Sequence, residues 1–133
     1  MRTILVYTSI LYLLYLKLKE RFHYEYCQDL QSQSLDHGIT QGYSVNGTIY
    51  VSGQFAYDEE GNFESEKGIE AQTKRTFENL DRVLKELDVT TSNLAYIEIY
   101  LTNPQAHTET VIEMLKEHLH DHRPAGSLIG VTI

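Results

Sequence analysis

Asn46-Gly47 constrains the fold of this chain more than any other pair of residues. It stands between two β-rich runs, 39–45 and 48–54. Asn-Gly is the preferred centre of a two-residue type I′ hairpin turn, because both residues tolerate positive φ. In the second run Ile49 and Val51 alternate with Thr48, Tyr50 and Ser52, the period of two that a half-buried strand requires. A hairpin is therefore expected here, with Phe55–Tyr57 extending the strand past Gly53 before Asp58-Glu59-Glu60-Gly61 turns the chain again.

The period then changes. Ile69, Thr73, Phe77, Leu80, Val83, Leu84 and Leu87 share one face at helical spacing. The other face carries Glu70–Lys74, Glu78–Arg82 and Asp81–Lys85, acid first in each i,i+4 pair, which reads as a solvated stripe. Residues 94–102 (LAYIEIYLT) alternate again, placing Ile97, Ile99 and Leu101 opposite Tyr96, Glu98 and Tyr100, so Glu98 is expected to face outward. Asn103-Pro104 supplies an N-cap and a first-turn proline for a second helix with Val111, Ile112, Leu115 and Leu119 inside. Arg123-Pro124 ends that helix, and 127–133 (SLIGVTI) reads as a last strand. The order hairpin, helix, strand, helix, strand predicts an α+β domain whose two helices lie on one face of a sheet. Tyrosines and β-branched residues on the other face call for a second subunit to cover it.

That domain is expected to span residues 36–133. Residues 1–35 hold an apolar stretch, 4–16 (ILVYTSILYLLYL), then a polar linker, and are expected to lie outside the fold. The stretch is thirteen residues long. A bilayer-spanning helix needs about twenty, so a membrane partner is not expected. The chain has 133 residues, 19 acidic and 11 basic, for a formal charge of −8. No Lys/Arg cluster is present to displace counterions from a phosphate backbone, which argues against nucleic acid as a partner. Cys27 is the only cysteine, so no intrachain disulfide forms, in keeping with a reducing cytoplasm. His118 and His122 are four residues apart, as a metal pair on a helix would be, but no third ligand is evident and histidines also complement a helix C-terminus. No metal and no cofactor is expected.

Four segments in order carry a resemblance: Gly47-Thr48-Ile49-Tyr50-Val51-Ser52-Gly53-Gln54, Phe77-Glu78-Asn79-Leu80 with Gln72 upstream, Tyr100-Leu101-Thr102, and Arg123-Pro124-Ala125. Together they resemble the RidA family of reactive-intermediate (imine/enamine) deaminases, once named for a reported endoribonuclease, from about His37 to Ile133. The resemblance implies a chorismate-mutase-like α+β fold, a homotrimer with its sheets around the three-fold axis, and small-molecule sites in the clefts between subunits. It places Ser52, Gly53 and Gln54 along that cleft, with Gly126 and Ser127 as its other lining residues. It implies hydrolysis of 2-imino acids or enamines to 2-keto acids and ammonia; the alternative is a non-catalytic member that binds a small metabolite, and ribonuclease ranks last.

The chain departs from the family pattern in three places. The family's carboxylate-clamping arginine falls on Gly126, and Arg123 would have to reach around a chain reversal to replace it. An arginine restored at 126 is expected to tighten binding of 2-keto acids. The family continues past Gly130-Val131 into a further strand whose glutamate positions water, whereas the sequence stops at Ile133. Ile39 stands where many members place a cleft tyrosine. No catalytic residue is assigned.

Overall fold

The computed structural model describes residues 3–5, 24–27, 38–64 and 67–132. Among them the elements run β1 (Thr3–Leu5), β2 (Tyr24–Cys27), β3 (Gly42–Val45), β4 (Thr48–Val51), α1 (Ile69–Glu86), β5 (Leu94–Leu101), α2 (Pro104–Leu119) and β6 (Ala125–Gly130). The strands form one sheet in the order β2-β3-β4-β1-β5-β6. β2, β3 and β4 are antiparallel neighbours, while β4, β1, β5 and β6 run parallel to one another.

The hairpin forms where the sequence puts it. Asn46 and Gly47 both have positive φ, 52° and 78°, and β3 and β4 pair in register from Val45↔Thr48 to Gly42↔Val51. Phe55–Tyr57 does not continue β4. Beyond Val51 the chain leaves the sheet, and Tyr57 makes only an isolated bridge to Phe63 across the Asp58–Asn62 turn.

Helix α1 lies against the sheet through the apolar face its sequence predicts. Thr73, Phe77, Leu80, Val83 and Leu84 are buried. With Ile49, Val51, Leu87, Val89, Leu94 and Leu119, the leucines and Val83 make the core. Gly42 permits the close approach: a Cβ there would stand 2.7 Å from Leu87 Cδ1 and 3.2 Å from Val83 Cγ1. On the solvent side Lys74 reaches Glu78 at 4.0 Å, whereas Asp81 turns to His118 at 3.1 Å instead of following its own helix to Lys85.

Helix α2 starts with Pro104 in the first turn, as expected, but Asn103 is in the left-handed region and makes no side-chain cap. Thr108 instead donates its hydroxyl to the Pro104 carbonyl at 2.7 Å. Both helices share one face of the sheet, and their apolar residues meet the inward set of β5 and β6. Ile97, Ile99, Gly126 and Leu128 face Ile112, Leu115 and Leu119 across a cavity of about 290 Å³.

Two strands come from the segment set apart in the sequence. β1 stands inside the sheet, with Ile4 opposite both Ile49 and Leu94, and β2 pairs with β3 from Tyr24↔Val45 to Cys27↔Gly42. The rest of residues 1–35 lies outside the described residues. Among the described residues no helix is long and apolar enough to cross a membrane.

Candidate functional site

With both described helices on one side, strand alternation sends a second set of side chains to the opposite face, which is helix-free among the described residues. On the hairpin these are Tyr43 and Tyr50, cross-strand partners opposite the buried Ser44, Ile49 and Val51. On β5 they are Tyr96, Glu98 and Tyr100. The β5–β6 register sets Glu98 beside Ser127 and Tyr100 beside Ile129. Tyr50 and Tyr100 are 42% and 50% exposed, large aromatic surfaces to leave uncovered.

The Ser52-Gly53-Gln54 segment follows β4 directly and is held by the chain before β3. Ser52 donates its backbone N–H to the Gln41 carbonyl at 2.9 Å and its hydroxyl to the Thr40 carbonyl at 2.6 Å. Gln54 Nε2 donates to Gln41 Oε1 at 2.9 Å and to the Ser52 carbonyl at 3.0 Å. These bonds fix the segment, and Gly53 is exposed at its centre, as is Ile39, which adjoins Thr40. The helix motif supports the next stretch: Asn79 Nδ2 donates to the carbonyls of Phe55 and Tyr57, at 2.7 and 3.1 Å.

Gly126 and Ser127 lie on β6, at the far edge of the parallel set β4-β1-β5-β6. Within one chain they do not meet Ser52-Gly53-Gln54, because β1 and β5 intervene. Three strand spacings put the two groups roughly 14 Å apart. Gly126 is also closed to substitution: a Cβ there would stand 2.5 Å from the Ile97 carbonyl oxygen and 3.0 Å from Ile97 Cγ2. An arginine at this position therefore needs a backbone shift, which changes the expectation that it would simply restore a clamp. Arg123 does not substitute for it either. Its Nη1 donates to the carbonyls of His120 and, at 2.7 Å, of His122, so the guanidinium closes the C-terminal end of α2.

Around Ser127, among the described residues, the helix-free face holds a polar cluster. Tyr100 donates its hydroxyl to Glu98 Oε2 at 3.0 Å, and the Tyr96 hydroxyl lies 3.4 Å from Glu98 Oε1 and 3.0 Å from Ser127 Oγ. Sequence alternation indicated the outward direction of Glu98. It did not single out the two tyrosines, though their i±2 spacing around a carboxylate on one strand face was the available signal.

The histidines go to separate partners. His118 stacks on Phe77, ring centroids 4.7 Å apart, and meets Asp81. His122 Nε2 lies 2.6 Å from the Leu94 carbonyl oxygen. The two rings are thereby committed to different elements, α1 and β5. Among the described residues no three His, Cys, Asp or Glu side chains converge as a metal site would need.

Residues 34–133 match the endoribonuclease L-PSP family model. That covers well over half of the sequence and includes every segment that carries the resemblance. The chain belongs to the RidA (YjgF) family. The mitochondrial protein Mmf1 of Saccharomyces cerevisiae is 27% identical over 92 residues, 69% of this chain and 62% of that relative, so the match spans less than two-thirds of its length. A proposed endoribonuclease of Thermotoga maritima superposes with TM-score 0.66 at 29% identity, over 70% of this chain and 72% of that one. A Rid-family protein of Yersinia pestis superposes with TM-score 0.74 over 82% and 86% of the two chains; at 23% identity it supports the fold alone.

Proposed function

We propose that this RidA-family chain is a homotrimer that binds a small molecule between subunits and hydrolyses imines or enamines there to a carbonyl compound and ammonia. The observation that carries this reading is the separation of the two candidate lining groups. Ser52-Gly53-Gln54 follows β4 and Gly126-Ser127 lies on β6, with β1 and β5 between those two strands, so a cleft lined by both groups would take one from each of two subunits. The exposed tyrosines of the helix-free face supply the surface that such packing would cover.

The reaction adds water across C=N and releases the amine, R2C=NH + H2O → R2C=O + NH3, without redox change or cofactor. In this chain the carboxylate clamp is lacking, since Gly126 carries no cation and Arg123 closes a helix end. A bidentate guanidinium orients a 2-imino acid through its carboxylate; without it, a carboxylate gives the substrate little advantage. The second reading, binding without turnover, draws support from the same loss. Ribonuclease activity ranks behind both, given a charge of −8. A single cysteine accords with a reducing compartment, which we take to be the cytoplasm, although the yeast relative carries a mitochondrial name.

The test is an imine-hydrolysis assay on folded protein of measured oligomeric state, comparing a 2-imino acid with an uncharged imine of similar size. Comparable acceleration of both is expected. A marked preference for the 2-imino acid would overturn the account of the lost clamp, and no acceleration of either from a trimer would leave the binding role.

A further inference from the structure

We propose that the cavity beneath the C-terminal half of α2 binds an aliphatic monocarboxylate, its tail among apolar residues of α2, β5 and β6 and its carboxylate at Lys116 and Arg123. The inference goes beyond the cleft reading. It concerns the helix-bearing side of the sheet and holds whether or not the chain hydrolyses imines.

The walls come from the packing of three elements. Ile112, Leu115 and Leu119 of α2 face Ile97, Ile99 and Leu128 of β5 and β6, and the space between them is about 290 Å³. Leu119 is buried, whereas the other five are only half-buried, so aliphatic surface between helix and sheet stays within reach of water. β6 is the last strand of the described sheet, and Gly126 and Ser127 on it are exposed, so the cavity opens along that edge. An aliphatic cavity of about 150 Å³ takes up benzene, and one roughly twice that size accommodates a chain of about eight carbons. Covering half-buried aliphatic surface favours such binding.

The rim is positive. The chain as a whole carries a formal charge of −8, yet the cavity is lined by Lys116 and Arg123 and by no Asp or Glu. Lys116 makes no ion pair or hydrogen bond among the described residues. Arg123 places Nη1 on the carbonyls of His120 and His122, which are neutral and leave its charge uncancelled. The same contact meets the negative end of the α2 dipole, which would otherwise repel an anion. Nε and Nη2 remain along one edge of the guanidinium, and two parallel N–H donors match the two oxygens of a carboxylate. His122 lines the same space with Nε2 at the Leu94 carbonyl and adds no negative charge. Apolar walls with a cationic rim disfavour an amine by its charge and a short-chain acid by lost burial.

The experiment titrates the 15N-labelled full chain with octanoate, octylammonium and acetate in parallel. Octanoate is expected to shift the Lys116 and Leu128 amides saturably. Acetate, which lacks the tail, should leave them in place over the same range, and so should octylammonium, which inverts the charge. Lys116→Met keeps the apolar stem of an exposed residue and removes the ammonium. It should weaken octanoate about ten-fold, the loss of a hydrogen bond to a charged group. Lys116→Glu, which reverses the charge, should weaken it further. Octylammonium binding as tightly as octanoate, shifts that never saturate, or unchanged octanoate affinity in Lys116→Met overturns the proposal. So does saturable octanoate binding that shifts the Tyr50 and Tyr96 amides and spares Lys116, which would put the ligand on the opposite face.

Discussion

Gly126 lies so close to Ile97 that a Cβ on it would stand 2.5 Å from the Ile97 carbonyl oxygen. Real Cβ atoms do not approach backbone oxygen so closely, and a carbonyl inside a paired strand cannot swing away as a side-chain tip can. Gly126→Ala is therefore expected to destabilise the fold by about 1–3 kcal/mol, the usual cost of forcing extra volume into a packed site. Gly126→Arg should cost at least as much and bring no gain in affinity for a small 2-keto acid such as pyruvate. Urea unfolding of Gly126→Ala checks the first statement and calorimetric titration of pyruvate into Gly126→Arg the second. Tight pyruvate binding by a stable Gly126→Arg protein would mean that the β5–β6 pair rearranges readily.

The Asp58 turn gives a pH dependence with a definite sign. Asn62 donates its backbone N–H to Asp58 Oδ1 at 2.8 Å and its side-chain amide to both oxygens, and the Glu60 N–H adds a bond at 3.0 Å. These donors, with Arg75 more distant, hold the Asp58 carboxyl below its ordinary value of 3.8, the Asn62 backbone bond being the largest cause. A carboxylate depressed in the folded state stabilises fully above its unfolded pKa, and that contribution is lost as pH falls through the lowered folded value. Asp58→Asn keeps the side chain's shape and removes the charge. The parent should melt higher than Asp58→Asn near neutrality, and the gap should close in the acid range, below the ordinary carboxylate pKa. Thermal melts from about pH 6 to about pH 2 measure it. A gap that widens on acidification would contradict the assigned donors.

Much of this fold was legible because local chemistry and tertiary structure agree. Asn46-Gly47 needs positive φ at two successive residues and has it. The stripe from Thr73 to Leu87 is buried as its spacing requires. What escaped was the origin of β1 and β2. A strand with parallel neighbours on both sides is written as a continuous apolar run without alternation, so residues 4–16 offered no period to distinguish strand from helix. Asn103 shows the other kind of miss. The residue type suits an N-cap, but a left-handed backbone takes its side chain away from the first-turn N–H groups. For the candidate site, the motif singled out Ser52, Gly53 and Gln54. It did not reveal that the Ser52 and Gln54 side chains are occupied in binding residues 40 and 41, or that Glu98 is the carboxylate beside Ser127. Both depend on strand register across the sheet, which is a long-range property.

The position of β1 makes the strongest mechanical prediction. Ile4 stands opposite Ile49 of β4 on one side and Leu94 of β5 on the other. Without β1 the sheet would divide into β2-β3-β4 and β5-β6, joined only by α1 and its loops. The first part carries the Ser52 segment and the second carries Glu98 and Ser127, so β1 sets the distance between these two groups within one chain. Proline has no N–H and is excluded from strands with neighbours on both sides. Ile4→Pro should thus lose a ladder bond and strand a facing carbonyl, at about 1–3 kcal/mol for each backbone group left unpaired. Ile4→Val, which leaves the backbone intact, should change stability by far less. Urea midpoints of the two variants decide the matter, and amide exchange shows where the loss falls. With Ile4→Pro, protection should drop along β4 and β5 together while the β3–β4 hairpin, which pairs independently of β1, keeps its cross-strand bonds. Equal midpoints for the two variants would mean that β1 adds nothing to the sheet, and that β4 and β5 are held in place by α1 alone.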